Sequence, residues 1–240
     1  MPFTRRLQRL RETVELWRRA WTASGDEPVP FEGGIWQIPD LRGLPPPARP
    51  DGPTLWYAGV GPAGLALAAT DLDGWLPYPP SSATYGAALD DLQAMIRQAR
   101  RPPTAVTPAL YVTVLSGNSS ATSRELDRYF SAYYGAGLEH IQPLQAVIHG
   151  HPDQCLDQLR SYIAAGARHV VVRIGSLDAH AHLPAIADCL LPARHDTDPP
   201  EEPEVAVGPA PTDRSADAPP APASTNAGRH GRRSPQNGTG

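Results

Sequence analysis

The stretch Pro53-Thr54-Leu55-Trp56-Tyr57-Ala58-Gly59-Val60-Gly61-Pro62 decides the fold, because an apolar strand ends there in Gly-x-Gly and an Ala/Leu-rich helix follows. Pro62 falls in the first turn of that helix, where the missing N–H costs nothing. The glycines allow close approach of the backbone, and free N–H groups at a helix start favour an anion. Residues 59–62 are therefore a candidate phosphate site. Gly-x-Gly also occurs in ordinary strand-to-helix turns, so a purely structural turn stays open.

Further strand–helix units follow on the carboxyl-terminal side of this stretch. Apolar runs predict strands at 54–59, 74–77, 108–115 and 169–174, and apolar spacing of three and four predicts helices at about 63–70, 82–100, 120–134, 152–165 and 179–191. Ser81 or Ser82 can cap the second of these helices. Strands separated by helices imply a parallel sheet with right-handed crossovers. Nearly continuous apolar strands indicate that both faces of the sheet are covered.

The region before the stretch begins with a strongly periodic apolar pattern. Its large side chains are spaced by four, three, four, three and four residues, as one helical stripe: Phe3, Leu7, Leu10, Val14, Trp17 and Trp21. This spacing predicts a helix that buries Trp17 and Trp21 as packing anchors. Residues 31–38 contain Gly33-Gly34 and predict a short hairpin or an extended arm, and residues 40–52 form a stiff, proline-rich connection.

The composition changes sharply from Ala193 onward. Pro, Ala, Asp, Glu, Ser, Thr and Gly dominate, and Val205 and Val207 are the only aliphatic side chains larger than Ala. Such a segment cannot bury enough apolar surface to offset the loss of chain entropy. The sequence therefore predicts one domain over residues 1–192 and a disordered, dispensable Pro/Ala-rich tail over residues 193–240.

Several ordered segments resemble the luciferase-like flavin or deazaflavin oxidoreductases, a family of (β/α)8 TIM barrels. They are ETVELWRRAW (12–21), FEGGIW (31–36), LPPP (44–47), WYAGVGP (56–62), DGWLP (73–77) and YIAAGARHVVVR (162–173). Their order and spacing carry the resemblance, which covers the C-terminal half of that family only. It implies an α/β fold of four parallel β/α units, the second half of a barrel. The four units that precede them in the family, with much of the ring pocket, are expected to be missing.

The resemblance also implies a function and a site. Gly59, Val60, Gly61 and Pro62 would cradle the phosphate end of FMN or of the deazaflavin coenzyme F-420, and Trp75 would line the ring or substrate side. Trp75 could equally be a packing aromatic at a strand end. The implied activity is monooxygenase-like two-electron transfer to a small organic substrate, with unidentified catalytic residues because the coenzyme carries the chemistry. The alternatives are a non-catalytic half-barrel, a homodimer, or a half that completes a barrel with another chain.

Composition argues against several other classes of protein. The formal net charge is −4, with arginine and no lysine, and gives no case for nucleic acid as a partner. No apolar run approaches the roughly 20 residues that span a bilayer, and no signal-peptide core follows the first arginines, so a cytoplasmic protein without membrane contact is expected. The two cysteines, Cys155 and Cys189, are too few for a disulfide scaffold and are expected to be buried free thiols.

Histidine pairs and one arginine complete the candidates. His149 and His151, and likewise His180 and His182, are two residues apart, but the first pair precedes a helix through a turn and the second lies at a helix start, so no metal site is predicted. Arg173 and Asp178 follow the last predicted strand, at the edge where ligands bind in β/α barrels. The ordinary interpretation of these two residues is a rim salt bridge or a helix cap.

Overall fold

The computed structural model describes residues 5–23, 27–42, 45 and 47–191. The predicted disordered tail at 193–240 lies outside these residues, as does Phe3. The described residues form seven strands: β1 (Phe31–Glu32), β2 (Gln37–Ile38), β3 (Trp56–Tyr57), β4 (Gly74–Trp75), β5 (Thr107–Ser116), β6 (Val147–Gly150) and β7 (His169–Ile174). The same part of the chain forms seven helices: α1 (Arg6–Thr22), α2 (Pro62–Asp71), α3 (Ser82–Gln98), α4 (Ser119–Tyr134), α5 (Leu138–Ile141), α6 (Pro152–Ala164) and α7 (Ala179–Leu190).

Strands β3 to β7 form one parallel sheet, as predicted for an α/β protein. The order is β3-β4-β5, and β7 pairs along the other side of β5 from Ala109 to Val114. All four predicted strands are present. The helix caps also follow local signals, since Ser81 accepts a hydrogen bond from the N–H of Thr84 at 3.1 Å and Pro62 opens α2.

The sheet has a fifth parallel strand, β6, which the sequence does not predict. It pairs with the last four residues of β5, while β4 pairs with the first two. The N–H of Ala146 donates to the carbonyl of Tyr78, and the carbonyl of Ala146 accepts from the N–H of Thr113. The chain before β6 therefore lies between the end of β4 and β5. Four residues are too few for a periodic signal, so only these long-range hydrogen bonds create the strand.

Helices cover both faces of the long strand β5. On one face, Leu110, Val112 and Val114 are fully buried in a core that includes residues of α3, α6 and α7. On the opposite face, Leu115 packs in a smaller cluster with Leu126 and Phe130 of α4. The carboxyl-terminal end of β5 therefore lies between two helical layers.

Helix α1 buries only part of the predicted stripe, because Val14 is buried and Leu10 packs against the core but Trp17 does not. Trp17 is 43% exposed and stacks on Trp21 at 6.0 Å between ring centroids, whereas Leu16 and Ala20 are buried. The prediction that Trp17 is buried is wrong. The reason lies in Glu12, whose carboxylate accepts hydrogen bonds from the backbone of the predicted and confirmed β1–β2 hairpin and so orients that side of α1 toward it.

Candidate functional site

The Gly59–Pro62 turn lies at the carboxyl end of β3, where α2 begins. Gly61 is the N-cap residue of α2, and Pro62 occupies the first helical position. Val60 is 47% exposed, and Gly61 and Pro62 are exposed as well. A Cβ built on Gly61 has no atom within 4 Å, so the space above this turn is open.

The backbone N–H groups at the start of α2 include engaged and unengaged donors. Gly64 and Leu65 both donate their N–H groups to the carbonyl of Gly61, each at 3.0 Å. Within the part of the chain that the structure describes, the N–H groups of Val60, Gly61 and Ala63 have no acceptor. Three exposed donors at the positive end of a helix are an arrangement that suits an anionic group.

Two aromatic side chains, Trp75 and Tyr57, contact the turn on its buried side. The indole Nε1 of Trp75 donates to the carbonyl of Gly59 at 2.8 Å, and the ring lies 5.1 Å from that of Tyr85. Trp75 is 0% exposed, so the structure shows it as a packing and positioning residue. Tyr57 lies under the start of α2 so closely that a Cβ on Gly64 would overlap its hydroxyl. That Trp75 contacts a coenzyme ring, and that residues 59–62 bind a coenzyme, remain predictions.

The two residues predicted at the end of β7 have separate roles. Asp178 caps α7 by accepting a hydrogen bond from the N–H of Ala181 at 3.3 Å. Arg173 forms no salt bridge with any carboxylate of the described residues. Its Nε and Nη2 instead donate to the hydroxyl of Thr113 at 3.1 and 2.8 Å, and its Nη1 donates to the hydroxyl of Tyr134 at 2.9 Å.

Four tyrosine rings surround this guanidinium, each 5.4 to 5.6 Å from it: Tyr111 of β5, and Tyr129, Tyr133 and Tyr134 of α4. Burial raises the pKa of Tyr129, against the opposing effect of the nearby Arg173 charge. We call this group the Arg173–tyrosine cluster. The sequence does not predict this cluster, although the spacing of the three α4 tyrosines places them on one side of a helix. Its assembly depends on the pairing of β5 with β7, which no local pattern reveals.

One histidine and both cysteines are buried or half-buried, and none belongs to a cluster, among the residues that the structure describes, that would bind a ligand. His149 lies at the end of β6, where burial lowers its pKa and leaves Nδ1 without a partner among the described residues. Cys155 and Cys189 are buried free thiols, as predicted, and burial raises the pKa of Cys155 to about 11. The described part of the chain contains no group of three or more His, Cys, Asp or Glu side chains arranged to hold a metal ion. None of its helices is long and apolar enough to cross a membrane.

A parallel β/α sheet with an open Gly-x-Gly turn at its carboxyl edge makes this an α/β protein, with the strand–helix alternation found in TIM barrels. The sequence model of the luciferase-like monooxygenases matches residues 1–169. The chain therefore belongs to the luciferase-like monooxygenase family, as the sequence analysis predicts.

Individual relatives agree with this assignment. A phthiodiolone/phenolphthiodiolone dimycocerosates ketoreductase of Mycobacterium tuberculosis and Mycobacterium bovis is 22% identical over 73% of this chain and 57% of its own length. Among solved structures, an F-420-dependent secondary alcohol dehydrogenase, in complex with an F-420–acetone adduct, has a TM-score of 0.65 at 17% identity, covering 81% of this chain and 64% of its own. A riboflavin lyase with modified FMN has a TM-score of 0.58 at 8% identity, covering 76% and 57%. The chain thus spans little more than half of the curated relatives that it matches.

Proposed function

We propose that this chain is part of an oxidoreductase that uses FMN or coenzyme F-420 for two-electron transfer to a small organic substrate. The observation that carries the proposal is the exposed turn at 59–62, whose free N–H groups lie at the start of α2. Membership of the luciferase-like monooxygenase family supports it, as do solved relatives whose descriptions name F-420 and FMN. Because the chain spans 57% of its curated relatives' length, the activity is proposed for the whole protein.

In this proposal the coenzyme supplies the redox chemistry, and the residues of the chain bind and orient it. The N–H groups of Val60, Gly61 and Ala63 hold one phosphate, which the α2 dipole also favours. The indole of Trp75 donates a hydrogen bond to the carbonyl of Gly59 and so fixes the turn with the N–H groups of Val60 and Gly61 free to bind the phosphate. Such a preformed site loses little conformational entropy on binding.

A second candidate function is an interaction module, and one feature of the sheet favours it. β7 pairs only with β5, so within the described residues its other edge has no partner strand. An apolar groove of about 380 Å³ adjoins this strand, lined by residues of α6, β7 and α7 that include Leu159, Val170, Val172, Leu183 and Ile186. Unpaired edges and apolar surfaces are typical of interfaces. A complementary half-barrel or a second copy of this chain would cover them.

Titration with FMN and riboflavin tests the phosphate site, because the two ligands differ only in the phosphate. We expect FMN to bind at least tenfold more tightly than riboflavin. Gly61→Asp places a negative charge where the phosphate would lie and should abolish that preference. Gly61→Ala is the matched control, because its Cβ enters open space.

The same titration separates the two candidate functions. No preference for FMN in the unmodified chain, or an unchanged preference in Gly61→Asp, would show that this turn does not bind the phosphate. Parallel titration with F-420 identifies the coenzyme. Binding that arises only when a chain carrying four further β/α units is co-expressed would favour the module that completes a barrel.

A further inference from the structure

We propose that the Arg173–tyrosine cluster is a binding site for an organic anion, and that the anionic group belongs to the substrate. This inference rests on the proposed function only in calling that anion a substrate. Nothing in the turn at 59–62 depends on this cluster, so each can fail without the other.

The hydrogen bonds of Arg173 leave capacity for a ligand. A guanidinium has five N–H donors in a fixed fork, and three of them donate to Thr113 and Tyr134. The other two have no acceptor in the described ranges of the chain. A half-buried guanidinium without a carboxylate partner favours an anion, and one N–H remains on each of Nη1 and Nη2 to donate to it.

The hydroxyl groups around Arg173 add further donors. The Tyr134 hydroxyl accepts from Arg173, so its own hydrogen is available to donate. Tyr133 and Tyr134 are 64% and 45% exposed, so a ligand can reach the cluster from solvent. The tyrosine rings offer flat surfaces on which an apolar or aromatic part of the ligand can pack.

The position of the cluster points to the substrate and away from the coenzyme phosphate. Arg173 is the penultimate residue of β7, so it lies near the carboxyl-terminal edge where ligands bind in β/α folds. The proposed phosphate turn follows β3. At the carboxyl edge β6 lies between β4 and β5, so the order there is β3-β4-β6-β5-β7 and the two strands are four positions apart. At about 4.8 Å per strand, this amounts to roughly 19 Å along the sheet. One phosphate cannot contact both sites, but a coenzyme and an anionic substrate can occupy them together.

A purely structural role is the competing explanation, since four aromatic rings also stabilise a cation through their faces. In that case Arg173 would hold α4 against the sheet and would bind no anion. The two explanations differ in whether a small carboxylate perturbs the guanidinium.

Benzoate is a suitable probe, with neutral benzamide as its isostere, and the readout is the NMR signal of the Arg173 Nε–H in the full chain. We expect benzoate to shift this signal in a saturable way and benzamide to leave it unmoved. Arg173→Gln should weaken benzoate binding at least tenfold, and Arg173→Lys, which keeps the charge but loses the fork, at least fivefold. Arg124→Gln removes the same charge from an exposed position of α4 and is the matched control, with binding expected within twofold of the unmodified chain.

The outcomes decide the proposal. An unmoved Arg173 signal in the unmodified chain, or equal weakening by Arg124→Gln, would overturn it even if the Arg173 variants failed to fold. Displacement of benzoate by FMN but not by riboflavin would assign the cluster to the coenzyme phosphate and overturn the substrate assignment. Retained benzoate binding in Gly61→Asp supports two separate sites.

Discussion

Trp75→Phe tests whether the core supports the turn at 59–62. The change removes one hydrogen bond, from the indole to the carbonyl of Gly59, and shortens a side chain that is 0% exposed. The lost hydrogen bond costs about 1 kcal/mol net. The smaller ring leaves roughly 40 Å³ of space, which costs about 1 kcal/mol at about 24 cal/mol per Å³.

We therefore expect Trp75→Phe to lower the free energy of unfolding by about 2 kcal/mol, or the melting temperature by roughly 4–8 °C for a chain of this size. The freed carbonyl no longer fixes the turn, so the amide hydrogens of Gly64 and Leu65, which donate to the carbonyl of Gly61, should exchange faster. FMN binding, if it takes place at this turn, should weaken several-fold. Urea unfolding, hydrogen exchange and FMN titration measure the three effects.

Tyr85→Phe is the matched control for this experiment. Its hydroxyl donates to the carbonyl of Ala109 at 3.1 Å, and the residue is equally buried, but the bond lies away from the turn. It should cost a similar 1–2 kcal/mol while leaving exchange at Gly64 and Leu65 and FMN affinity unchanged. A loss below about 0.5 kcal/mol in Trp75→Phe, or equal effects of the two variants on the turn, would refute the reasoning.

Three further predictions concern helix α1 and strand β7. Burial opposes the charge of Glu12, but hydrogen bonds from the hairpin backbone and Gln8 outweigh it and lower the pKa of this carboxyl. The stability that Glu12 contributes is therefore present above its unfolded-state pKa and is lost as pH falls below about 5. Glu12→Gln should flatten this part of the pH–stability curve. Trp17→Ala should lower the free energy of unfolding by about 2 kcal/mol, less than the roughly 3 kcal/mol expected for the buried Leu16→Ala, as measured by urea unfolding. A larger loss in Trp17→Ala would show that Trp17 is buried as the apolar spacing predicts. Val172→Lys should reduce self-association in sedimentation velocity relative to Leu144→Lys, an exposed leucine outside the groove, and equal sedimentation of the two variants would contradict this use of the groove.

Local signals explain most of what could be predicted. The start of α2 at Pro62, the Ser81 cap and the span of β7 follow from residues that act on their own neighbours. Segments such as WYAGVGP and DGWLP indicated the family, and the family model confirms it. The turn at 59–62 was found for the same reason, since a glycine pair before a helix is a contiguous pattern.

The features that escaped prediction all depend on contacts between distant residues. The buried face of α1 is set by the carboxylate of Glu12, which reaches the N–H of Ile35 at 2.8 Å. Apolar spacing shows that a helix has a preferred face, but not which polar side chain will be drawn inward by a partner. Here three backbone donors outweigh the burial of one tryptophan.

The sequence by itself determined the alternation of strands and helices, the family and the position of the glycine turn, because each depends on residues adjacent in the chain. Only the tertiary structure decided that Trp75 supports that turn, that β6 exists, and that Arg173 of β7 meets Thr113 of β5 and Tyr134 of α4. In the last case, parallel strand pairing brings together Arg173 and Thr113, which are 60 residues apart, and the packing of α4 adds Tyr134, 39 residues from Arg173. Its register is set by the burial of whole sheet faces, which is a property of the packed molecule and not of any one segment.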